Sequence, residues 1–196
     1  MTILVWRTRS EEETVSLGRA LALALVPPVW VGLTGPLGAG KTRLVQGIAD
    51  GLHYPGRVRS PTFVLENRYA ASVPIVHQDL YRLSDVDEEI LAGWEENVDA
   101  IVLVEWAERA DERPERAVSI EITPIESTTP TAETLQPEDA SDSSMRPSPA
   151  GPAVTPDVAA VDDVDQQGER EIRVRFAPGL LRLDQTTRAA ATEVSA

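Results

Sequence analysis

Eight consecutive residues have the composition and spacing of a phosphate-binding loop. Residues 35–42 read Gly-Pro-Leu-Gly-Ala-Gly-Lys-Thr, which matches the pattern G-x-x-x-x-G-K-S/T at every fixed position. Glycines allow such a loop to turn its backbone N–H groups inward onto phosphate oxygens. Lys41 can place a positive charge near the β- and γ-phosphates, and the hydroxyl of Thr42 can bind Mg²⁺. The loop therefore predicts a site for a nucleotide and Mg²⁺.

The residues on either side of this loop predict the strand and the helix that such a site requires. Residues 29–34 are mostly apolar and predict a buried strand directly before the loop. Leu44, Val45 and Ile48 follow the loop at helical spacing. A helix at this position would point its positive N-terminal end at bound phosphates. This context argues against the alternative, a glycine-rich turn that carries a lysine by chance.

Two acidic residues follow other predicted strands. Residues 100–104 form a continuous apolar run, typical of a buried parallel strand, and Glu105 comes next. Residues 75–78 predict a shorter strand that ends at Asp79. Ligands of open α/β sheets bind at the carboxyl ends of the strands, so we expect both carboxylates beside Gly35. Each could hold Mg²⁺ or orient a water; the alternatives are a surface glutamate and an aspartate that caps a turn.

Three further side chains lie close to these strands in sequence. Thr62, in a loop that contains Pro61, could reach Mg²⁺ when a γ-phosphate is present, or it could be an ordinary loop threonine. Trp106 is expected either near the nucleotide or in the core. His77 is interpreted as a structural strand residue, since the other histidine, His53, is not close enough in sequence to form a metal pair with it.

The remaining segments predict further helices and strands. Ser10 and Glu13 have the spacing of a capping box, which predicts a helix that ends before the Pro27-Pro28 pair. A second helix is predicted over residues 84–94. Strands are predicted at residues 118–122 and 171–176, of which the second alternates polar and apolar side chains.

The composition separates an acidic segment from the rest of the chain. Residues 126–169 contain ten acidic residues, a single basic one and no aromatics, and they contribute most of the net charge of −14. Such a composition predicts a disordered insertion. We expect one domain formed by residues 1–125 plus 170–184, and a flexible tail over residues 185–196. The alternation of strands and helices predicts an α/β fold, a P-loop NTPase-like and mostly parallel sheet flanked by helices.

Charge and cysteine content exclude several classes of function. A chain this acidic is not expected to bind nucleic acid on its own, because phosphate contacts dominate that affinity. The 196 residues include no cysteine, which excludes disulfides and thiolate metal sites and fits a reducing compartment. The longest apolar stretch is interrupted by Pro27-Pro28, and residues 1–10 lack the apolar core of a signal peptide. We therefore expect a cytoplasmic protein without a membrane association.

Four motifs, in this order along the chain, resemble the bacterial TsaE (YjeE) family. They are the loop at 35–42, Ser-Pro-Thr-Phe at 60–63, His-x-Asp-Leu-Tyr-Arg-Leu at 77–83 and Val-Glu-Trp at 104–106. The resemblance spans residues 10–123 and the strand at 171–176. It implies a small ATPase that works with the TsaB and TsaD proteins to make N6-threonylcarbamoyladenosine next to the anticodon of tRNA. It also implies ATP and Mg²⁺ as ligands, and contact with tRNA only through the complex.

The resemblance also implies a role for each matching residue. The implied catalytic residues are Lys41, Asp79, Glu105 and Thr62. The implied metal ligands are Thr42 and Glu105. The implied nucleotide-binding residues are Glu11, Gly35, Gly38, Ala39, Gly40, Lys41, Thr42, Arg43 and Trp106. The chain departs from the family pattern at Pro36, which replaces an aspartate and lacks a backbone N–H, and at Ala107, where the family often has proline.

Two other functions stay open at this point. A small-molecule or nucleotide kinase would need an acceptor pocket and usually an arginine-bearing lid, for which residues 109–116 are the candidate segment. A nucleotide-sensing interaction subunit would bind ATP as a switch and hydrolyse it very little. A GTPase is disfavoured, because the sequence contains no Asn-Lys-x-Asp motif.

Overall fold

The computed structural model describes residues 1–83, 86–125 and 168–194. Over these residues the chain forms eight strands and four helices, with a single 3-10 turn at Ala107–Arg109. The strands are β1 (Thr2–Thr8), β2 (Val29–Thr34), β3 (Glu66–Tyr69), β4 (Ile75–Asp79), β5 (Ile101–Glu105), β6 (Ala117–Ile125), β7 (Glu169–Phe176) and β8 (Thr192–Val194). The helices are α1 (Glu11–Ala24), α2 (Lys41–Gly51), α3 (Glu88–Glu96) and α4 (Gln185–Ala189).

All eight strands belong to one mixed sheet, in the order β3-β4-β5-β2-β6-β7-β1-β8. The four central strands β4, β5, β2 and β6 are parallel to one another. The outer strands pair antiparallel, β3 on one side and β7, β1 and β8 on the other. β4 and β5 are buried along their whole length and β2 up to its last residue, as expected for strands covered on both faces. The predicted α/β fold is confirmed.

The strands on either side of the acidic segment pair with each other, as the sequence predicts. β6 and β7 are antiparallel, and Ile125 lies opposite Glu169. β7 begins at Glu169, slightly earlier than expected, because the ladder continues to the last described residue of β6. The sequence predicts disorder over residues 126–169; of these, 126–167 lie outside the described residues, and Glu169 belongs to β7.

The segment after residue 184 differs from the flexible tail that the sequence predicts. Asp184 caps α4 by accepting a hydrogen bond from the backbone N–H of Thr187 at 2.7 Å. β8 then pairs antiparallel with β1, with Ile3 opposite Val194. β8 satisfies backbone groups that β1 would otherwise expose at the edge of the sheet. Residues 195 and 196 lie outside the described part.

Two of the three predicted helices begin at a capping side chain, and the second of these two starts later than expected. The third, α2, follows Gly40, which has no side chain to cap it. Ser10 caps α1, and its Oγ accepts the N–H of Glu13 at 3.2 Å, as the capping box predicts. The second helix is expected over residues 84–94, but α3 begins only at Glu88. The reason is that Asp87 takes the cap position, with its carboxylate accepting the N–H of Ile90 at 3.0 Å.

Close contact between α1 and α2 determines where α2, the helix after the phosphate loop, lies on the sheet. Gly18 of α1 meets Gly47 of α2. A Cβ on Gly47 would lie 2.2 Å from the carbonyl oxygen of Val15 and 2.9 Å from Cα of Gly18. Neither helix could approach the other this closely with a larger residue at the crossing. None of the helices in the described part of the chain is long and apolar enough to cross a membrane.

Gly47→Ala is expected to destabilise the fold by about 1–3 kcal/mol, the usual cost of overpacking. The added methyl group meets backbone atoms of α1, which cannot rotate away. Gly93→Ala in α3 is the matched control, because a Cβ there has nothing within 4 Å and helix propensity favours alanine by about 0.8–1 kcal/mol. Urea unfolding followed by circular dichroism measures both changes. Equal stability of the two variants would contradict the proposed helix crossing.

Candidate functional site

Three parallel strands end at the same edge of the sheet and bring the predicted site residues together. In the β4–β5 ladder Asp79 lies opposite Glu105, and in the β2–β5 ladder Leu33 lies opposite Glu105. Gly35 begins the phosphate loop two residues after Leu33. Because β2 lies directly beside β5, the loop and both carboxylates share one edge, as the sequence predicts.

The phosphate loop turns sharply into α2. Gly40 caps the helix with φ of 104°, and Gly38 has φ of 77°. Both values lie in the left-handed region, which glycine adopts without a steric cost. Ala39 between them is fully buried, so it anchors the loop in the core. This conformation aims the first N–H groups of α2 into the loop, which is the arrangement that binds phosphate at a helix N-terminus.

Lys41, the only lysine of the chain, lies inside the loop, where it is 5% exposed. Its Nζ donates hydrogen bonds to the carbonyl oxygens of Gly35 at 2.7 Å and Pro36 at 3.0 Å. Burial lowers the pKa of Lys41, while the nearby carboxylates of Glu105, Glu108 and Asp79 act in the opposite direction. Phosphate oxygens could replace the carbonyl groups as partners of this ammonium group, so the lysine is positioned for an anionic ligand.

The ring of Trp106 lies against the ammonium group of Lys41. Its ring centroid lies 3.7 Å from the lysine Nζ, a cation–π contact. The ring of Tyr81 packs against it, with 4.8 Å between the centroids. The backbone of Trp106 has φ of 59°, which is unusual for a bulky residue and is found mainly at constrained sites. Trp106 therefore lies beside the phosphate loop and also packs against the apolar cluster that contains Val102 and Val104.

Glu105 is bonded to the first turn of α2. The hydroxyl of Thr42 donates to this carboxylate, at 2.8 Å from Oε1 and 3.1 Å from Oε2. Glu105 is 3% exposed, and Nε2 of His77 lies 2.8 Å from Oε1. A threonine hydroxyl can donate its proton to a carboxylate while its oxygen coordinates a cation. The pair therefore has the chemistry of the predicted Mg²⁺ site.

Asp79 holds the loop that contains Thr62. The hydroxyls of Ser60, at 3.0 Å, and of Thr62 both donate to Oδ2 of Asp79. The other carboxylate oxygen accepts the backbone N–H of Tyr81 at 2.8 Å. Asp79 is 3% exposed, and these donors compensate for its burial. In this conformation Thr62 is bound to Asp79, so it could reach a metal ion only by leaving that partner.

Glu11 and Arg43, both predicted to contact the nucleotide, form an ion pair. Nε of Arg43 lies 2.7 Å from Oε2 of Glu11. This pair connects the first turn of α1 to the first turn of α2, next to Thr42. It brings Glu11, which the resemblance implies as a nucleotide-binding residue, to the side of the phosphate loop.

Arg170 is a residue that sequence reasoning missed. It lies in β7, is 3% exposed, and donates from Nε to the carbonyl oxygen of Ala39 at 3.1 Å. Its Nη1 donates to the carbonyl oxygen of Gly168 at 2.9 Å. The sequence did contain a signal, because Arg170 shares the inward face of β7 with Ile172 and Val174. A charged residue on a buried face needs partners, and here the partner is the phosphate loop.

These residues fit a magnesium ion that arrives with a nucleotide. Within residues 1–83, 86–125 and 168–194, no group of three or more histidine, aspartate or glutamate side chains is arranged to hold a metal ion. Mg²⁺ usually keeps several waters and takes one or two carboxylates plus phosphate oxygens from the substrate. Thr42 and Glu105, next to a loop that binds phosphate, match that requirement.

Comparison with known proteins identifies the family of the chain. A sequence model described as "Threonylcarbamoyl adenosine biosynthesis protein TsaE" matches residues 8–132. The chain belongs to the TsaE family. The resemblance seen in the motifs is thereby confirmed. The match covers every site residue that the sequence predicted, whereas Arg170 lies beyond it.

Two curated relatives carry the name tRNA threonylcarbamoyladenosine biosynthesis protein TsaE. The protein of Nostoc sp. is 39% identical over 121 residues, which is 58% of this chain and 74% of the relative. The protein of Bacillus subtilis is 36% identical over 124 residues, which is 62% of this chain and 78% of the relative. The crystal structure of Bacillus subtilis YdiB matches 97% of this chain and 93% of its own, with a TM-score of 0.55 and 23% identity. That structural likeness shows a shared fold.

Arg170→Ala is expected to weaken nucleotide binding as well as the fold. A buried hydrogen bond to a charged group contributes about 1.5–3 kcal/mol. If the less ordered loop binds ATP about 1.4 kcal/mol more weakly, the ATP dissociation constant rises tenfold. Titration with a fluorescent ATP analogue, at a temperature where the variants are folded, measures the effect. The control is Arg173→Ala, which removes a side chain that is 43% exposed. A variant at Arg170 that loses stability but keeps wild-type ATP affinity would contradict the role of this residue at the loop.

Proposed function

We propose that this chain is the ATPase component of tRNA N6-threonylcarbamoyladenosine synthesis. Membership of the TsaE family supports the pathway, and the names of the relatives refer to the same tRNA modification. The observation that carries the ATPase activity is the Thr42–Glu105 pair at the end of a phosphate loop. A hydroxyl and a carboxylate at these positions are the protein groups that Mg²⁺-dependent phosphoryl transfer needs.

ATP and Mg²⁺ are assigned to the edge of the sheet where β2, β4 and β5 end beside the phosphate loop, called the loop edge below. Residues 38–43 would bind the phosphates through backbone N–H groups and the Lys41 ammonium, and Glu11 and Trp106 would flank the nucleotide. Thr42 and Glu105 would hold Mg²⁺, which, when bound, neutralises charge on the phosphate oxygens. Hydrolysis then needs only positioning and charge stabilisation. Lys41 already lies where it could stabilise negative charge on the transferred phosphoryl group.

The attacking water would be oriented by one of the two buried carboxylates. Asp79 has both oxygens occupied by donors from residues 60–62 and from Tyr81. Movement of Thr62 away from Asp79 would therefore free the threonine hydroxyl together with one acceptor position on Oδ2, which Ser60 would still hold. This coupling suits a switch threonine, whose partner changes with the nucleotide. In this proposal Asp79 therefore orients the attacking water, and Glu105 holds the metal ion.

The arrangement of the arginines favours hydrolysis over transfer to a metabolite. Arg109 donates to the carbonyl oxygen of Leu83 at 2.8 Å, and Arg113 donates to Ser119 Oγ at 3.1 Å. Arg116 donates to the carbonyl oxygens of Pro28 and Val26, before the start of β2 and therefore at the opposite end of the sheet from the loop. Arg113 and Arg116 therefore do not contribute to the arginine-bearing lid that a kinase would need, whereas Arg109 lies 5.5 Å from the ring of Tyr81, beside Trp106.

TsaD and TsaB are the partners that the family membership suggests, and contact with tRNA would come through them. A protein partner also suits the surface beside the nucleotide site. Leu37, Phe63, Val64 and Tyr81 are large apolar or aromatic residues of the loop edge that are 40–81% exposed. Exposed apolar groups concentrated beside a site are typical of a protein interface. Because tRNA is modified in the cytoplasm, we also propose that the protein is located there.

Lys41→Ala is expected to abolish ATP turnover, with a loss of at least about 100-fold, because a buried charge at the reacting phosphate is removed. Phosphate release is measured for the chain alone and with TsaB and TsaD, with Arg113→Ala on the surface as the control variant. Turnover that rises with the partners and vanishes in the Lys41 variant supports the proposal. Near-normal activity of that variant would show that the site assignment is wrong. ATP binding without turnover, even with the partners, would favour a nucleotide-sensing subunit.

Phe63→Ser tests the proposed interface separately from the nucleotide site. The ring of Phe63 is 81% exposed, so its loss is expected to leave ATP affinity within about twofold while stimulation by TsaB and TsaD falls. Leu23→Ser is the matched control, because Leu23 on α1 is 75% exposed and lies outside the loop edge. If both variants retain full stimulation, the partner contact lies elsewhere.

A further inference from the structure

A chain of buried polar groups connects Glu105 to the loop that precedes Thr62. His77 on β4 is completely buried. Its Nε2 lies 2.8 Å from Oε1 of Glu105, and its Nδ1 lies 3.1 Å from the hydroxyl of Tyr69. The same hydroxyl donates to the carbonyl oxygen of Arg59 at 3.2 Å. Three elements of the fold, β5, β4 and β3, thereby contribute to one hydrogen-bonded row.

The proton positions in this row follow from the chemistry of its members. An ionised glutamate can only accept hydrogen bonds, so Nε2 of His77 must carry a proton to bond Glu105. In the neutral ring Nδ1 is then an acceptor, and it can receive the proton of Tyr69. Burial raises the pKa of Tyr69, so its hydroxyl keeps that proton. The contact with Glu105 therefore determines both the tautomer and the orientation of the imidazole.

His77 and Thr42 hold the same carboxylate from two sides. Thr42 donates from α2, and His77 donates from the neighbouring strand, both to Oε1 of Glu105 at 2.8 Å. If only Thr42 held it, the carboxylate could follow the threonine side chain whenever a ligand moved that side chain. The bond from a rigid, fully buried imidazole keeps Glu105 in place independently of the threonine. Groups that fix a metal-binding residue in this way typically change metal affinity or activity about 10–100-fold when they are removed.

Tyr69 has one hydroxyl proton and two acceptors for it. When the proton points to His77, the carbonyl of Arg59 keeps only the Asn67 amide as a donor, at 3.3 Å. When the proton points to Arg59, Nδ1 of the neutral imidazole has no donor from Tyr69. Arg59 directly precedes Ser60, and Ser60 and Thr62 are the donors to Asp79. The position of this loop and the bonding of His77 are therefore linked through Tyr69.

We propose that His77 is a positioning residue for Glu105, and that Tyr69 links it to the loop of residues 59–62. This proposal rests on the proposed function, since it assigns Glu105 to Mg²⁺. His77 does not contact the nucleotide or the metal ion in this proposal. It fixes the geometry of the carboxylate that does, and Tyr69 transmits the position of the loop.

If His77 had a purely structural role, its replacement would have a different effect. His77 is flanked along β4 by the apolar Ile75 and Val76 and by Gln78. A histidine that only filled space there would have to be desolvated at a cost that an apolar side chain avoids. If so, an apolar replacement of similar size would preserve metal-dependent properties. The two roles therefore predict opposite results for His77→Leu.

The tautomer of His77 can be measured without ATP. Nitrogen-15 NMR of the two imidazoles, with the exposed His53 as an internal reference, is expected to show the Nε2–H form for His77. Glu105→Gln should shift its ring-nitrogen signals. A predominant Nδ1–H tautomer, or signals that do not respond to Glu105→Gln, would overturn the proposal.

The functional test compares His77→Leu, His77→Gln and Tyr69→Phe with the wild type. For each, ATP affinity is measured with and without Mg²⁺, and hydrolysis is measured as a function of Mg²⁺ concentration. His77→Leu is expected to raise the Mg²⁺ concentration for half-maximal effect about tenfold, with Mg²⁺-free ATP affinity within about twofold. His77→Gln, whose amide can donate from the place of Nε2, should recover much of this loss. Tyr69→Phe should produce a smaller loss of the same kind.

The outcomes separate this proposal from the proposed function. If the wild type binds ATP in a Mg²⁺-dependent way but hydrolyses none, even with TsaB and TsaD, the proposed ATPase activity is contradicted. The ATP affinities of the variants with and without Mg²⁺ would still test the role of His77. Unchanged Mg²⁺ dependence in His77→Leu would overturn the positioning role. Equal impairment of the Leu and Gln variants, with Mg²⁺-free affinity lost in parallel, would also overturn it. A wild-type ATP affinity that Mg²⁺ does not alter would leave Glu105 without a metal ion to hold, and the proposal would fail.

Discussion

The hydrogen bond between Thr42 and Glu105 is the interaction on which the site depends. It joins the first turn of α2 to the last residue of β5, and so it fixes the phosphate loop relative to the neighbouring strand. That bond can form only because β2 and β5 are parallel and in a register that places Leu33 opposite Glu105. The buried apolar strands, the glycine contact between α1 and α2, and the sharp turn at Gly40 all serve this one juxtaposition.

Charge placement at this edge follows the needs of an anionic ligand that arrives with a cation. Lys41, Asp79 and Glu105 are each at most 5% exposed, and each is satisfied by hydrogen bonds within the chain. Burial strengthens their interactions with a bound ligand, since the local dielectric is low. It also means that the ligand must exchange partners with the protein instead of filling an empty space. Lys41 would give up two carbonyl groups and Thr62 would give up Asp79, which makes the site responsive to what is bound.

Local patterns in the sequence predicted the elements that are locally determined. The apolar runs of β2, β4 and β5 and the cap at Ser10 depend on neighbouring residues, and the structure has them as predicted. β1 and β8 were missed because their pairings, β1 with β7 and β8 with β1, join opposite ends of the chain and cannot be seen in a local pattern. For the site, the convergence of Gly35, Asp79 and Glu105 could be derived, since the ends of parallel strands meet at one edge.

The contacts that local patterns could not show are those between residues distant in the chain. His77 reads as an ordinary strand residue because its partners, Tyr69 and Glu105, come from two other strands. Arg170 bonds Ala39, 131 residues earlier in the sequence. β6 and β7 continue past the end of β2 and so lie beside the phosphate loop. The contact is close, since a Cβ on Gly35 would lie 2.2 Å from the carbonyl oxygen of Ile122 in β6. The phosphate loop is consequently held on one side by Glu105 and on the other by Arg170. Arg170 lies opposite Pro124 in the ladder of β6 and β7, so this pairing keeps the arginine at the loop.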